Sequence, residues 1–351
     1  MRSGIGKRLV AAALAALLAA GLGLLGGCGA PAGTGGTGGG GSAAEGDASA
    51  AATEFPVAFC TWIGYAPLYI AEEKGYFSAR GIAPELTIIE DESQYAAALY
   101  SGSIQALGNV LDREVIHFAS GTPETVAFAL DESSGGDGVI ASGDIQSVAD
   151  LKGRTVGLDK SSTSYFFFLS ILEKNGLAEG DVTIEDMGAD DAGTAFLAGN
   201  LDAAVVWEPY LSESNTREGG HVLASSAEYP KTIVDVMVVR SDFAAENPQA
   251  VEALTAAWYE AIEFYRANPD EGNEIMARGL GLDVDEIADM ASGITFMGAE
   301  ENATFLDRSS DSGIYEVAER AMKFWQGMGV IDAPFELNDF ISDAYYRTPI
   351  R

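Results

Sequence analysis

Four short segments hold most of the residues that could do chemistry. Thr61-Trp62-Ile63-Gly64-Tyr65-Ala66-Pro67 sets two large aromatics beside Gly and Pro, after the apolar run Val57–Cys60. Such rings suit stacking on a planar or cationic ligand; capping of the core by Trp62 is the plainer alternative. Asp159-Lys160-Ser161-Ser162-Thr163-Ser164-Tyr165 places four hydroxyls in a row ahead of a helical stretch. Hydroxyls and free N–H groups at a helix start favour a carboxylate, sulfonate or phosphate, and one Ser acting as a simple cap would use the same residues. Ala204-Val205-Val206-Trp207-Glu208-Pro209-Tyr210 ends an apolar run in an aromatic, an acid and a Pro. Glu208 there could meet an amine, cap the next helix or join a salt bridge. Ala129–Gly138 mixes Asp131, Glu132 and Ser133 with glycines, as either a binding loop or a bare turn. Asp112, after Asn109-Val110-Leu111, and Asp235, between Val234 and Val236, are further acidic candidates. A hydroxyl nest for an anion and several acids for a cation together suit a zwitterion, or a polar heterocycle bearing an amino group.

These segments sit at equivalent places in two half-copies. Leu99-Tyr100-Ser101-Gly102-Ser103-Ile104-Gln105-Ala106 matches Phe196-Leu197-Ala198-Gly199-Asn200-Leu201-Asp202-Ala203, each a helix end, a Gly cap and a strand. Upstream, Val57–Thr61, helical Ala66–Lys74 and Glu85–Ile89 parallel Thr155–Leu158, helical Ser164–Lys174 and Val182–Ile184. Each half therefore reads strand–helix–strand–helix–strand, which predicts α/β architecture with two parallel-sheet lobes and right-handed crossovers. Ligands of such sheets bind outside the carboxyl ends of the strands, so two facing lobes make a clamp. Downstream, Asn247-Pro248 opens a helix whose Val251, Leu254, Trp258, Ile262 and Tyr265 share one apolar face. Asn268-Pro269 ends it, and Val317–Met328 and Phe335–Tyr346 read as further helices.

The 351 residues carry 53 acids against 20 Lys plus Arg, for a net charge of −33. Phosphate contacts need clustered cations, so a nucleic-acid partner is not expected. Apolar residues at 47% support a large core. Two His and two Cys rule out a multi-cysteine zinc site or a disulfide framework by counting, and no cofactor or metal is expected. Arg2, Lys7 and Arg8 precede an apolar stretch from Leu9 to Leu25 and then Gly26-Gly27-Cys28. This is the layout of a secretory leader, and it is marginal for a membrane span of about 20 residues. The cysteine context resembles a bacterial lipobox, with lipid on Cys28 and residues 1–27 removed. Residues 28–54 then form a Gly/Ala/Ser tether with an r.m.s. reach of roughly 28 Å. Consumption of Cys28 leaves Cys60 without a partner, as a buried small hydrophobe.

Tyr65–Phe77 (YAPLYIAEEKGYF), Asp150–Gly157 (DLKGRTVG) and Leu201–Tyr210 (LDAAVVWEPY) resemble, in order, three motifs of the nitrate/sulfonate/taurine and thiamine-pyrimidine substrate-binding family of ABC importers. The resemblance implies a type II periplasmic-binding fold with extra C-terminal helices. Its two inter-lobe crossings are expected near Val139–Ser142 and Val236–Arg240, giving lobe 1 as 55–139 and 240–351 and lobe 2 as 140–239. It also implies a Glu208 that meets an amino group and a Ser161–Ser164 loop that meets an anion. The expected ligand-contacting set is Trp62, Tyr65, Asp112, Asp131, Ser133, Ser161, Thr163, Ser164, Tyr165, Trp207, Glu208 and Asp235.

On this reading the chain is a monomeric, extracytoplasmic lipoprotein that closes on a small solute and hands it to a membrane permease driven by an ATPase. The chain itself holds no G-x-x-x-x-G-K-[ST] phosphate loop. A sensing module for a signalling partner would use the same clamp. A pyrimidine-synthase-like enzyme shares the fold by the same resemblance. It would need a Cys-rich run and a ligand-supplying His, whereas His117 and His221 lie outside the cleft motifs.

Overall fold

The computed structural model describes residues 52–350. The leader, Cys28 and nearly all of the tether lie outside them. The described residues form eleven strands in chain order: β1 (Thr53–Phe59), β2 (Ile82–Ile88), β3 (Ala106–Val110), β4 (Glu124–Ser133), β5 (Asp137–Ala141), β6 (Thr155–Leu158), β7 (Thr183–Asp186), β8 (Ala203–Trp207), β9 (His221–Ser225), β10 (Val234–Arg240) and β11 (Ile294–Phe296). They form one sheet of order β11-β4-β10-β3-β1-β2 and another of order β7-β6-β8-β5-β9.

The twin halves are visible in the register. Val57 of β1 pairs with Leu86 of β2 and Ala106 of β3, all parallel. Val156 of β6 pairs likewise with Ile184 of β7 and Ala203 of β8. Helices Pro67–Glu73 and Tyr95–Ser101 cross over in the first half, and Thr163–Lys174 and Ala189–Leu197 in the second. Gly102 (φ 75°) and Gly199 (φ 81°) stop the second helix of each half in the left-handed region, which costs glycine nothing.

The sheets are mixed rather than wholly parallel. β10 runs antiparallel to β3 and β4, and β5 antiparallel to β8 and β9. The cause is a reciprocal exchange: each half donates one strand to the other's sheet, and it enters without a helical crossover, hence reversed. The chain changes sheets at 134–136 and 226–233. Val139–Ser142 therefore lies largely within β5 of the smaller sheet, and Val236–Arg240 within β10 of the larger, so both crossings come earlier in sequence than expected.

Parallel strands bury both faces. In β8, Ala203 and Val205 join the main core, while Ala204 and Val206 face Ile140, Phe196, Leu201 and Leu211 on the other side. The Pro248–Ala267 helix forms as its periodicity dictates, with Pro at its first turn. Asn247 does not cap it; its amide donates back to the Phe243 carbonyl instead. Phe335–Tyr346 is not one helix: only Leu337–Phe340 is helical. Ile341 forms a bridge with Val126 of β4, and the Ser342 N–H donates to the Val126 carbonyl at 3.1 Å. β4 otherwise has an open edge, and tertiary pairing wins over helix formation. That edge is covered piecewise, by β11 opposite Asp131–Ser133, by the Asn302 side chain at Ala129, and by Ile341 at Val126.

Candidate functional site

The carboxyl ends of the parallel strands in both sheets open onto one cleft of about 940 Å³. Thr61, Trp62 and Tyr65 follow β1, and Glu90 to Ser93 follow β2. From the second half come Asp159, Ser161 and Ser162 after β6, Asp190 and Asp191 after β7, and Trp207 to Pro209 at the end of β8. Asp137 and Asp235 enter from the two exchanged strands, and Leu282, Glu286, Asp289 and Met290 from the C-terminal helical region. Every charged residue of this lining is an acid.

Of the expected residues, Trp62, Tyr65, Ser161, Trp207, Glu208 and Asp235 line the cleft. The others do not. Asp131 lies behind Trp62, whose indole N–H donates to it at 3.4 Å. Ser133 shares a hydrogen bond of 2.8 Å with Ser226. Thr163 donates to Asp112 at 2.8 Å, and Trp325 donates to the other oxygen of Asp112 at 3.2 Å. Asp112 thereby ties the helix after β3 to the helix after β6 and to the C-terminal helix Ile314–Gly327. Ser164 is buried in the first turn of its helix, and Tyr165 packs against Trp325 with ring centroids 6.3 Å apart.

Much of the hydroxyl loop is tied up within the chain. The backbone N–H and hydroxyl of Ser161 both donate to Asp159, at 2.7 and 2.6 Å. The Lys160 N–H donates to Asp186 at 3.0 Å, and the Ser162 hydroxyl caps the Ser164 N–H at 3.2 Å. Four donors of this loop, the N–H groups of Lys160 and Ser161 and the hydroxyls of Ser161 and Thr163, thus already serve carboxylates of the chain. Glu208 plays two parts: it lines the cleft, and it accepts from the Ser212 N–H at 3.0 Å and the Ser212 hydroxyl at 2.9 Å. The Glu208–Pro209 peptide is cis.

Three buried carboxyls lie at the floor or, for Asp131, just behind it. Asp235 of β10 stands opposite Asp131 of β4 in the antiparallel register, and the Tyr65 hydroxyl donates to Asp235. Asp131, Asp137 and Asp235 are 0, 5 and 1% exposed. Burial, reinforced by Asp235, holds Asp131 well above the ordinary carboxyl range. Burial pushes Asp137 up to about 7 and Asp235 up to about 7. Oδ2 of Asp131 and Oδ2 of Asp137 have no hydrogen-bond partner. Burial also raises the Cys60 thiol, so this cleft-lining cysteine stays protonated.

Gly64 is fixed by this floor. A Cβ built there would stand 2.0 Å from Oδ2 of Asp131 and 2.5 Å from Nε1 of Trp62. Gly64→Ala is therefore expected to displace Trp62 and lower stability by about 1–3 kcal/mol. An unchanged denaturation midpoint would show that the Trp62–Asp131 contact is loose.

Comparison with known proteins matches this arrangement. The family model for NMT1/THI5-like proteins matches residues 62–272. The taurine-binding periplasmic protein of Escherichia coli is 25% identical over 264 residues, spanning 72% of this chain and 82% of that protein. The crystal structure of the Escherichia coli periplasmic aliphatic sulphonate binding protein SsuA superposes with a TM-score of 0.70 at 19% identity, covering 83% of this chain and 92% of that one. The desulfurization enzyme DSZB shares the fold at a TM-score of 0.60 and 18% identity, covering 83% of this chain and 96% of that one. The fold is therefore that of the periplasmic binding proteins, and the chain belongs to the NMT1/THI5-like family.

Proposed function

We propose that this protein is the solute receptor of an ABC import system, held outside the cell membrane by lipid on Cys28. It would act as a monomer, capturing a small polar solute and delivering it to a permease and its ATPase. The supporting observation is the shared cleft, lined by strand ends of both sheets and by aromatic and polar side chains. A solute touching both sheets contacts them together only when they close, so it stabilises the closed form. The sulfonate- and taurine-binding names of the relatives support capture of a small solute. The identity of the solute is decided by the residues of this cleft. Simple binding without turnover fits a cleft whose thiol is protonated and whose lining includes no histidine.

A thermal-shift screen over sulfonates, amines, pyrimidines and nitrate tests the reading, with small-angle scattering on each hit. A ligand at a hundredfold excess over its Kd adds about 2.7 kcal/mol of stability, and the radius of gyration should fall on binding. A tight ligand that leaves the radius unchanged, or that is chemically altered by the protein, contradicts it. For the anchor, Cys28→Ser should move the protein from the membrane fraction into the soluble fraction.

A further inference from the structure

The cleft has a sign. Among the described residues no lysine, arginine or histidine lines it, whereas its acids come from nearly every contributing segment. Low-dielectric walls focus such a field and raise the local concentration of cations. An anion would meet repulsion from the acidic lining, and in the hydroxyl loop the N–H groups of Lys160 and Ser161 already serve Asp186 and Asp159. Acidity alone marks no site. The second observation is the pair of orphan oxygens, Oδ2 of Asp131 and of Asp137, on carboxyls at least 95% buried. Asp137 lines the cleft directly, and Asp131 lies behind the Trp62 that lines it. Buried polar atoms are rarely left unpaired, because each forfeits its hydration.

We propose that the solute is an organic cation whose ammonium or amidinium group seats on Asp137 and Asp235, with its apolar body against Trp62. This deepens the solute-receptor reading and rests on it. The choice of an organic group over a metal ion follows from two facts. Among the described residues no cluster of three or more His, Cys, Asp or Glu has metal-binding geometry. The floor is instead walled by Trp62, Tyr65 and Trp207, which suit a cation with an apolar body. Positive charge on the solute replaces protons on the floor. Besides the three aspartates, the groups facing them are Glu92, Glu208, Tyr65 and Cys60, all neutral or negative. Arg113 acts on Glu92, not on the floor aspartates, and sits over the Trp325 ring at 5.7 Å. Cation binding should accordingly release protons and tighten as the pH rises.

The test uses pairs of probes that differ in sign of charge on one skeleton: benzylamine against benzenesulfonate, and 1,4-diaminobutane against 1,4-butanedisulfonate. Taurine, which carries both signs, completes the set. Thermal shift and calorimetry are run on the full chain. The amines are expected to stabilise and the sulfonates not. Affinity for an amine should rise about tenfold between pH 6 and 8, with protons released to buffer. Asp137→Asn should cut amine affinity about thirtyfold while leaving the ligand-free melting temperature equal or higher, because it replaces a buried carboxyl that has no partner for its ionised form with a neutral amide of the same shape. A sulfonate that stabilises more than its amine partner, a complete lack of stabilisation by amines, or a lower ligand-free melting temperature in Asp137→Asn each overturns the proposal. Delivery is read separately, as cellular uptake. A bound cation that is never taken up contradicts import alone, and a delivered anion contradicts the cation alone.

Discussion

Raising the pH from about 4 to about 8 should destabilise the ligand-free protein by several kcal/mol. Asp137, Asp235 and Glu92 each hold their proton up to about 7, and burial also holds Asp131 and Glu124 well above the ordinary carboxyl range. Burial is the first cause in every case. The unfolded chain releases the same protons near pH 4. Between these limits the folded state binds more protons than the unfolded state, so stability is fully present below the unfolded value and is lost as the pH climbs through the folded one. One carboxyl moved that far is worth up to about 4 kcal/mol. Neighbours that share protons contribute less than the sum. At the acid end the sign reverses: Asp144, Asp150 and Asp307 are held below the ordinary range by hydrogen bonds, and their contribution goes as they protonate. Melting temperature should therefore peak near pH 4–5 and fall steadily to pH 8. A profile flat or rising over that interval would mean that the floor carboxyls are already ionised and paired.

Asn302→Ala should cost about 3 kcal/mol or more. The side chain is fully buried. Its Oδ1 accepts from the Ala129 N–H at 2.7 Å, and its Nδ2 donates to the carbonyls of Ala129, Met297 and Gly298 at 2.9, 3.1 and 3.0 Å. It stands in for a missing strand residue where β11 turns away from β4. Removing it strands the N–H and carbonyl of Ala129 without water, at about 1–3 kcal/mol for each buried orphan. Asn302→Asp gives no rescue, because a carboxylate would face three carbonyl oxygens. A fall in the urea midpoint at constant m-value is expected; a loss below about 1 kcal/mol would show that water reaches Ala129.

Much of the architecture was legible because it depends on local signals. Helix-ending glycines at 102 and 199 and the apolar runs of β1, β3, β6 and β8 mark the twin halves directly. The strand exchange was not, since Asp137–Ala141 and Val234–Arg240 look like any apolar run and only their partners reveal which sheet they join. At the cleft, the rule that ligands sit beyond strand carboxyl ends led to Trp62, Ser161 and Glu208. Applied equally to β2 and β7, it would also have led to Glu90, Asp91 and Glu92 and to Asp190 and Asp191. Asp137 carried a weaker signal, a lone acid within Gly135-Gly136-Asp137-Gly138. Glu286 and Asp289 carried none, because long-range packing alone brings the Val284–Ser292 helix to the cleft. Thr163 and Asp112 illustrate the reverse: side chains of binding type at the right strand ends are consumed by each other.

Native mass spectrometry of the protein purified from its own host, wild type beside Trp62→Ala, addresses solute capture in the cleft most directly. The expected spectrum shows one small, positively charged organic molecule per wild-type chain and empty variant chains. Equal occupancy in both proteins would contradict capture in the cleft, and an anionic passenger would contradict the cation alone.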